Sequence, residues 1–282
     1  TTTYGLVLRP QSGPLEGFGL SVDYYKIEIS DAIVVLTTQQ VVDACFLANV
    51  GCSNIYAAFS GTPFSSLPNS GRLDIGRIDR GTNNIGTFET SGIDVELSYR
   101  LALSDINENL PGDLTFRGLG TFVDKFVVGL GNGSAPLDYA GQSGGAAFGG
   151  FTAPPDYTIT TFLTYDVGGF STTFDTRYIP EGIYDIRRLE GVPNTNNNSI
   201  NDNSVDARFY VGVAMSYAFD EEGDRSKEVF FNIRNLFDID PPNSPSSQAG
   251  TDGRVQGVGH PTNPVYYDIA GAQWRAGFRL KY

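Results

Sequence analysis

The sequence has no long apolar run. The longest, Ala32 to Leu36, is far short of the ~20 residues a membrane-crossing helix needs. A membrane role can therefore come only from a barrel, the other spanning structure in which every backbone group finds a partner. Basic residues are also scarce: 19 Lys and Arg face 32 Asp and Glu, for a net charge of −13. That excludes nucleic acid as a partner, since binding it requires basic surface to neutralise phosphates. Histidine occurs once, at His260, and cysteine twice, at Cys45 and Cys52, without a CxxC spacing. Zinc is not expected from so few ligands, and neither is any other metal or cofactor. Residue 1 is Thr, and no charged-then-apolar leader opens the chain.

What is present is alternation. From Gln273 to Tyr282, Trp274, Ala276, Phe278, Leu280 and Tyr282 fall on one face, and Gln273, Arg275, Gly277, Arg279 and Lys281 on the other. A period of two is a strand between two different solvents. Aromatics near both ends of the apolar face suit a membrane strand, though alternation alone equally fits the edge of a soluble β-sandwich. The pattern recurs. Ile93, Val95, Leu97, Tyr99 and Leu101 oppose Asp94, Glu96, Ser98 and Arg100, and Phe170, Thr172, Phe174, Thr176 and Tyr178 oppose Ser171, Thr173, Asp175 and Arg177. Such rows would be ruinous in a sandwich core but are ordinary in a wet lumen. Phe18, Leu20, Val22 and Tyr24 also share a face, but Ile27 and Ile29 fall out of phase, which predicts a bulge near Tyr24-Tyr25.

One helix is expected. Thr37 to Gln40 is a capping box, Val41, Val42, Cys45 and Phe46 form an apolar stripe, and Gly51 is placed to end it. Cys45 and Cys52 flank that end, which in a secreted-type chain suggests a loop disulfide, against the alternative of two unrelated thiols. Asn201 to Asp206 begins like a calcium loop but lacks its Gly and its closing Glu. Gly129 to Pro155 is expected to be a mobile surface loop. From residue 103 on, long connections (129–155, 186–205, 241–264) alternate with short ones (168–169, 220–227). Outer-membrane barrels have this asymmetry and a sandwich has no reason for it.

The segment Asn232-Ile233-Arg234-Asn235-Leu236-Phe237-Asp238, followed by Pro241-Pro242, resembles the N-x-x-N-L-F-D signature near the end of TonB-dependent outer-membrane receptors. The last strand with its terminal aromatic is similar to theirs, as are Ser21 to Ile27, Asp43-Ala44-Cys45 and Thr90 to Asp94. The resemblance implies an all-β fold: an antiparallel transmembrane barrel segment of about nine strands from a larger, 22-stranded family barrel, with one short helix in an extracellular loop. Residues 1–282 would be its carboxy-terminal portion, without plug domain or TonB box, hence a fragment. It implies a Gram-negative outer-membrane location and active import of a scarce nutrient such as a siderophore, cobalamin or a glycan. The implied partners are outer-membrane lipid, the TonB energy-coupling complex acting through the plug, the barrel-assembly machinery, which would read Tyr282, and a small-molecule substrate.

The lumen-facing candidates are Asp94, Glu96, Arg100, Asp175, Arg177, Arg275 and Arg279, with a structural role as open to them as a substrate role. Tyr139, Phe148, Phe151, Tyr266 and Tyr267 lie near the loops, where aromatics stack on sugars or anchor at an interface. Two alternatives remain at this point. One is a passive porin or small closed barrel, which needs an even strand number and pairing of its first and last strands. The other is an outer-membrane hydrolase, whose base would have to be His260 in a Gly/Pro-rich loop. No enzyme is expected.

Overall fold

The computed structural model describes residues 1–13, 15–36, 38–49, 51–57, 75–131, 133–144, 152–191, 199–222, 225–244 and 262–281. His260, Thr37, Phe148, Phe151 and Tyr282, singled out above, lie outside them.

Nine strands form one continuous antiparallel sheet, each paired with the next along the chain. They are β1 (Thr2–Leu8), β2 (Phe18–Val35), β5 (Thr82–Ala102), β6 (Asp113–Gly129), β8 (Tyr157–Val167), β9 (Phe170–Ile179), β14 (Arg208–Glu222), β15 (Arg225–Arg234) and β16 (Gln273–Lys281). β7 (Leu137–Asp138) adds to β6. Short strands decorate the connections: β3 (Ile55–Ala57) pairs β4 (Ile75–Ile78), β10 (Gly182–Ile183) pairs β13 (Ser204–Val205), and β11 (Leu189–Glu190) pairs β12 (Ser199–Ile200). Among the described residues β1 and β16 each have one neighbour, so the sheet is open at both edges.

Register shows why the alternation matters. Trp274 faces Ile233, then Val213, Phe174, Leu163, Phe116, Tyr99 and Phe18 in succession across eight strands. This row is apolar across all eight strands, and much of the face it lies on is open: Trp274 is 75% exposed and Tyr4 70%, while Val213 within the row is buried. An exposed apolar band of this size marks a surface that meets a membrane or another protein. Stacked aromatics, Tyr4 on Tyr24 and Phe122 on Tyr157, mark its upper border. From Phe170 to Tyr178, eight steps of ~3.4 Å each, tilted ~40°, cover about 21 Å of thickness, close to the ~25 Å apolar band of an outer-membrane barrel.

The loops segregate by end. The connections at 9–17, 103–112, 168–169 and 223–224 are short and share one end; those at 36–81, 130–156, 180–207 and 235–272 are long and share the other. The alternation therefore begins at residue 1, not at 103. The charged turn expected over 220–227 shrinks to 223–224, because β14 and β15 continue pairing to Glu222 and Arg225.

Several expectations are corrected. β2 and β5 pair without interruption from Phe18 to Ile29, so no bulge lies at Tyr24-Tyr25; the register shifts fall between Ile29 and Ile33. Ile27 and Ile29 are out of phase because the strand has passed the apolar band, where outward residues become Lys26 and Glu28. α1 spans Thr38–Ala48. It ends at Asn49, left-handed at φ 56°, rather than at Gly51. Val41, Ala44 and Cys45 are buried and Val42 packs against their cluster, while Phe46, expected in the same stripe, is exposed. Cys45 and Cys52 are joined by a disulfide, packed with Leu36, Val41, Ile55 and Leu130. Closing so short a loop should stabilise this lobe by about 2–3 kcal/mol. Non-reducing mass spectrometry should find the two half-cystines in one linked peptide, and two free thiols in exported protein would contradict the pairing.

Candidate functional site

The polar sheet face holds all seven sequence candidates. Arg100 and Arg275 lie in one cross-strand row, through Thr115, Thr164, Thr173, Ala214 and Asn232. Arg177 shares a row with Glu96 through Thr160 and Leu119. Proximity does not follow for all of them. Glu96 accepts from Arg117 Nε (2.8 Å), and Arg100 lies 3.5 Å from Asp113. Asp94 opposes Asp23 across β2, a like-charge pair that a wet surface tolerates. Asp175 fits over Gly212, and the Arg177 guanidinium lies 5.3 Å from the Tyr210 ring centre. Arg275 and Arg279 flank the Phe230 ring at 5.7 and 5.6 Å, Arg279 also pairs with Glu228, and Gly277 beneath leaves the ring its space.

Arg117, Asp23, Glu228 and Phe230 were missed as candidates. The alternation of Leu114 to Val128 carries Arg117, but its partner Glu96 is 21 residues away, and only register joins them. These exposed pairs are worth little in stability, of the order of 0–1 kcal/mol each. What they provide is a hydrated wall of fixed donors and acceptors.

Among the described residues, segments of three long connections are packed and bonded together into a cap. Residues 139–144, expected to belong to a mobile loop, are largely buried, with Gln142 and Ser143 fully so. Gln142 Oε1 accepts from Ile186 N–H (3.0 Å), joining two loops. Asn263 Nδ2 donates to the Ser143 and Gly144 carbonyls (3.3 and 3.5 Å), joining a third. Polar loop backbone cannot be buried unless it is paired, and this knot does the pairing. Residues 145–151 lie outside the described set.

Of the loop aromatics, the three among the described residues, Tyr139, Tyr266 and Tyr267, pack into apolar clusters. Tyr139 packs with Val128 and Ala153, and Tyr267 with Ile179, Val205 and Tyr210, each only 2% exposed. Tyr266 is partly buried against the second cluster, and burial pushes its hydroxyl up to about 12. Their rings pack the loop clusters.

Asp185 is buried in the cap and receives Arg187 Nε (2.9 Å), Nη2 (2.8 Å) and backbone N–H (3.0 Å). Burial works to raise its pKa, but the Arg187 contacts outweigh it and hold the carboxyl below its usual range. A depressed folded pKa gives stability that is present above the unfolded value of ~3.9 and lost as pH falls through the folded one. Limited proteolysis of the cap should therefore be unchanged from pH 7 to about 5 and accelerate only in stronger acid. Asp185→Asn should abolish that acid step; an unchanged profile would remove Asp185 as its cause.

The signature Asn232–Asp238 proves architectural. Asn235 is buried and left-handed (φ 50°); its Nδ2 donates to the Ile239 carbonyl (3.0 Å) and its Oδ1 accepts from Ile239 N–H (2.9 Å). Leu236 N–H returns to the Val211 carbonyl (2.7 Å), and Asp238 Oδ1 caps Ala272 N–H (2.8 Å). The motif ends β15 and aims the chain into its long loop.

No helix among the described residues is long and apolar enough to cross a membrane, which says nothing of strands. Among the described residues no cluster of three or more metal-ligating side chains occurs. No curated protein matches the chain. Of solved structures, the siderophore receptor PirA from Acinetobacter baumannii is similar at 14% identity and a TM-score of 0.48, covering 99% of this chain and 31% of its own. The chain thus spans well under half of that receptor. The family model described as TonB dependent receptor-like, beta-barrel matches residues 1–236. With its two-faced sheet, segregated loops and architectural signature, the chain belongs to the TonB-dependent receptor β-barrel family.

Proposed function

We propose that this chain is wall and loop cap of a larger outer-membrane barrel that imports a small molecule by TonB-coupled transport. The observation that carries the reading is the pairing of a broad apolar band on one sheet face with an opposite face of fixed charges, at the end of which described loop segments are knotted together. The apolar face meets lipid, and the polar face, with Asp94, Glu96, Arg100, Asp175, Arg177, Arg275 and Arg279, lines a wet lumen. The long-loop end is the outside, where the cap captures substrate; the short turns face the periplasm. The open edges β1 and β16 pair with further strands of the same barrel, because an unpaired edge cannot sit in lipid. Energy would come from an inner-membrane complex acting on a plug, neither of which is part of this sheet. Catalysis has no place in this reading.

Uptake into intact cells carrying the full-length receptor tests it. Import should stop when the proton gradient is collapsed or TonB is deleted, with the receptor still assembled. Uptake that continues unchanged would favour a passive channel.

A further inference from the structure

The joint between residues 139–144 and 262–267 buries more polar groups than its direct bonds satisfy. Asn263 holds it together. Its Nδ2 donates to the Ser143 and Gly144 carbonyls, and its own carbonyl accepts from Tyr266 N–H and Tyr267 N–H (3.3 and 3.1 Å). Ser244 Oγ is a second donor to the Ser143 carbonyl (3.4 Å). Three side-chain hydroxyls of the joint are left over. Ser143 Oγ, Thr262 Oγ1 and Tyr267 Oη are buried without a hydrogen-bond partner, and among the described residues they are the whole set of such side-chain atoms. Ser143 and Thr262 are fully buried, and Tyr267 nearly so.

A buried hydroxyl without a partner forfeits its hydration, and native folds rarely leave even one. Three on two segments pinned by a single Asn side chain define one place. Ser143 Oγ is crowded by Gly182, where a Cβ would lie 2.3 Å from it. Burial pushes the Tyr267 hydroxyl above its ordinary range, and Ser143 draws it part of the way back, so the two oxygens sense each other without meeting in a direct bond. Chemistry then selects the occupant. Each hydroxyl donates one hydrogen and accepts through two lone pairs. The trio holds no charge, and the charges that Tyr267 does feel, on Arg208 and Asp206, pair with each other at 3.5 Å and offset one another. An ion would find no counter-charge there, and full burial excludes a large solute. Water both donates and accepts, and internal waters take about three such partners.

We propose that Ser143, Thr262 and Tyr267 form a site for internal water that bridges the 130–156 and 235–272 connections. The joint is then held by solvent as well as by Asn263. The proposal concerns the cap alone and does not depend on transport. The sign of a stability change tests it. In a dry site Tyr267→Phe removes an unsatisfied group and stabilises the joint; in a watered site it removes a bond. Full-length receptor in detergent, its assembly checked by heat-dependent gel mobility, is subjected to limited proteolysis of the cap. Tyr267→Phe and Ser143→Ala should each speed cleavage about fivefold, the rise in open population when one net hydrogen bond is lost. The double variant should fall short of the product of the two, because both act on one bridge. Footprinting of wild type with X-ray-generated hydroxyl radicals needs no variant. Radicals born from internal water label the side chains beside it. Tyr267 should therefore be labelled several-fold faster than Tyr139, which is equally buried but packed on Val128 and Ala153. Unchanged or slower cleavage in the single variants, effects that multiply in the double variant, or Tyr267 labelled no faster than Tyr139 would each overturn the proposal.

Discussion

Asn235→Ala is expected to destabilise the assembled barrel wall by about 3 kcal/mol. The carboxamide makes two hydrogen bonds to the Ile239 backbone, each worth ~1 kcal/mol net, and the side chain is buried, so Ile239 would lose partners that water cannot replace. The left-handed backbone at φ 50° adds ~1 kcal/mol against Ala, since Asn tolerates that region better than other residues with a Cβ. Loss here would release the start of the 235–272 connection and with it the Leu236–Val211 contact that closes β14 against β15. Thermal unfolding of the full-length receptor, followed by gel mobility, should show a clear fall in midpoint and in assembled yield. Asn235→Gly separates the two causes, because it keeps the backbone freedom and loses only the hydrogen bonds; it should recover about a third of the loss. An alanine variant of wild-type stability would show that the motif has no structural role.

Gly144→Val should weaken substrate capture by tenfold or more while leaving the wall intact. A Cβ at Gly144 would lie 1.8 Å from the Tyr184 carbonyl oxygen, a contact between two backbones that no rotamer can relieve. The segment would have to move, and the Ser143 and Gly144 carbonyls would leave Asn263. Displacing a buried, hydrogen-bonded loop segment costs at least ~2–3 kcal/mol, enough to favour an open cap. Binding to the full-length receptor should weaken by tenfold or more, since 1.4 kcal/mol is a factor of ten. Assembled yield should hold, because the knot lies outside the nine-strand sheet. Normal binding in the variant would mean that the cap takes no part in capture.

Asn235 and Gly144 show how differently the two regions could be read. The wall was legible because each strand carries its own signal: a residue's face is fixed by whether its position is odd or even, and lipid and lumen demand opposite residues. Trp274 to Leu280 needed no partner to be placed. The signal also carried its own error. At Ile27 and Ile29 a change of solvent along a regular strand looks like a change of register, and Lys26 and Glu28 beside them were the clue to the difference. The cap gave no such signal. Gln142, Ser143 and Asn263 are ordinary polar loop residues in sequence, and Tyr139 and Tyr267 look like exposed aromatics.

The sequence by itself determined the strands, their two faces, the ends at which loops are long or short, and the family. These follow from short-range rules, a period of two and a turn length, that act within one hairpin. Tertiary structure alone decided which charges meet, as Glu96 and Arg117 or Arg279 and Glu228 do, and which loop residues are buried. It also decided that the outer wall carries ionic groups above its aromatic border. Those are properties of register and of contacts between loops up to 120 residues apart, as in Asn263 to Ser143, where local pattern carries no information about the partner.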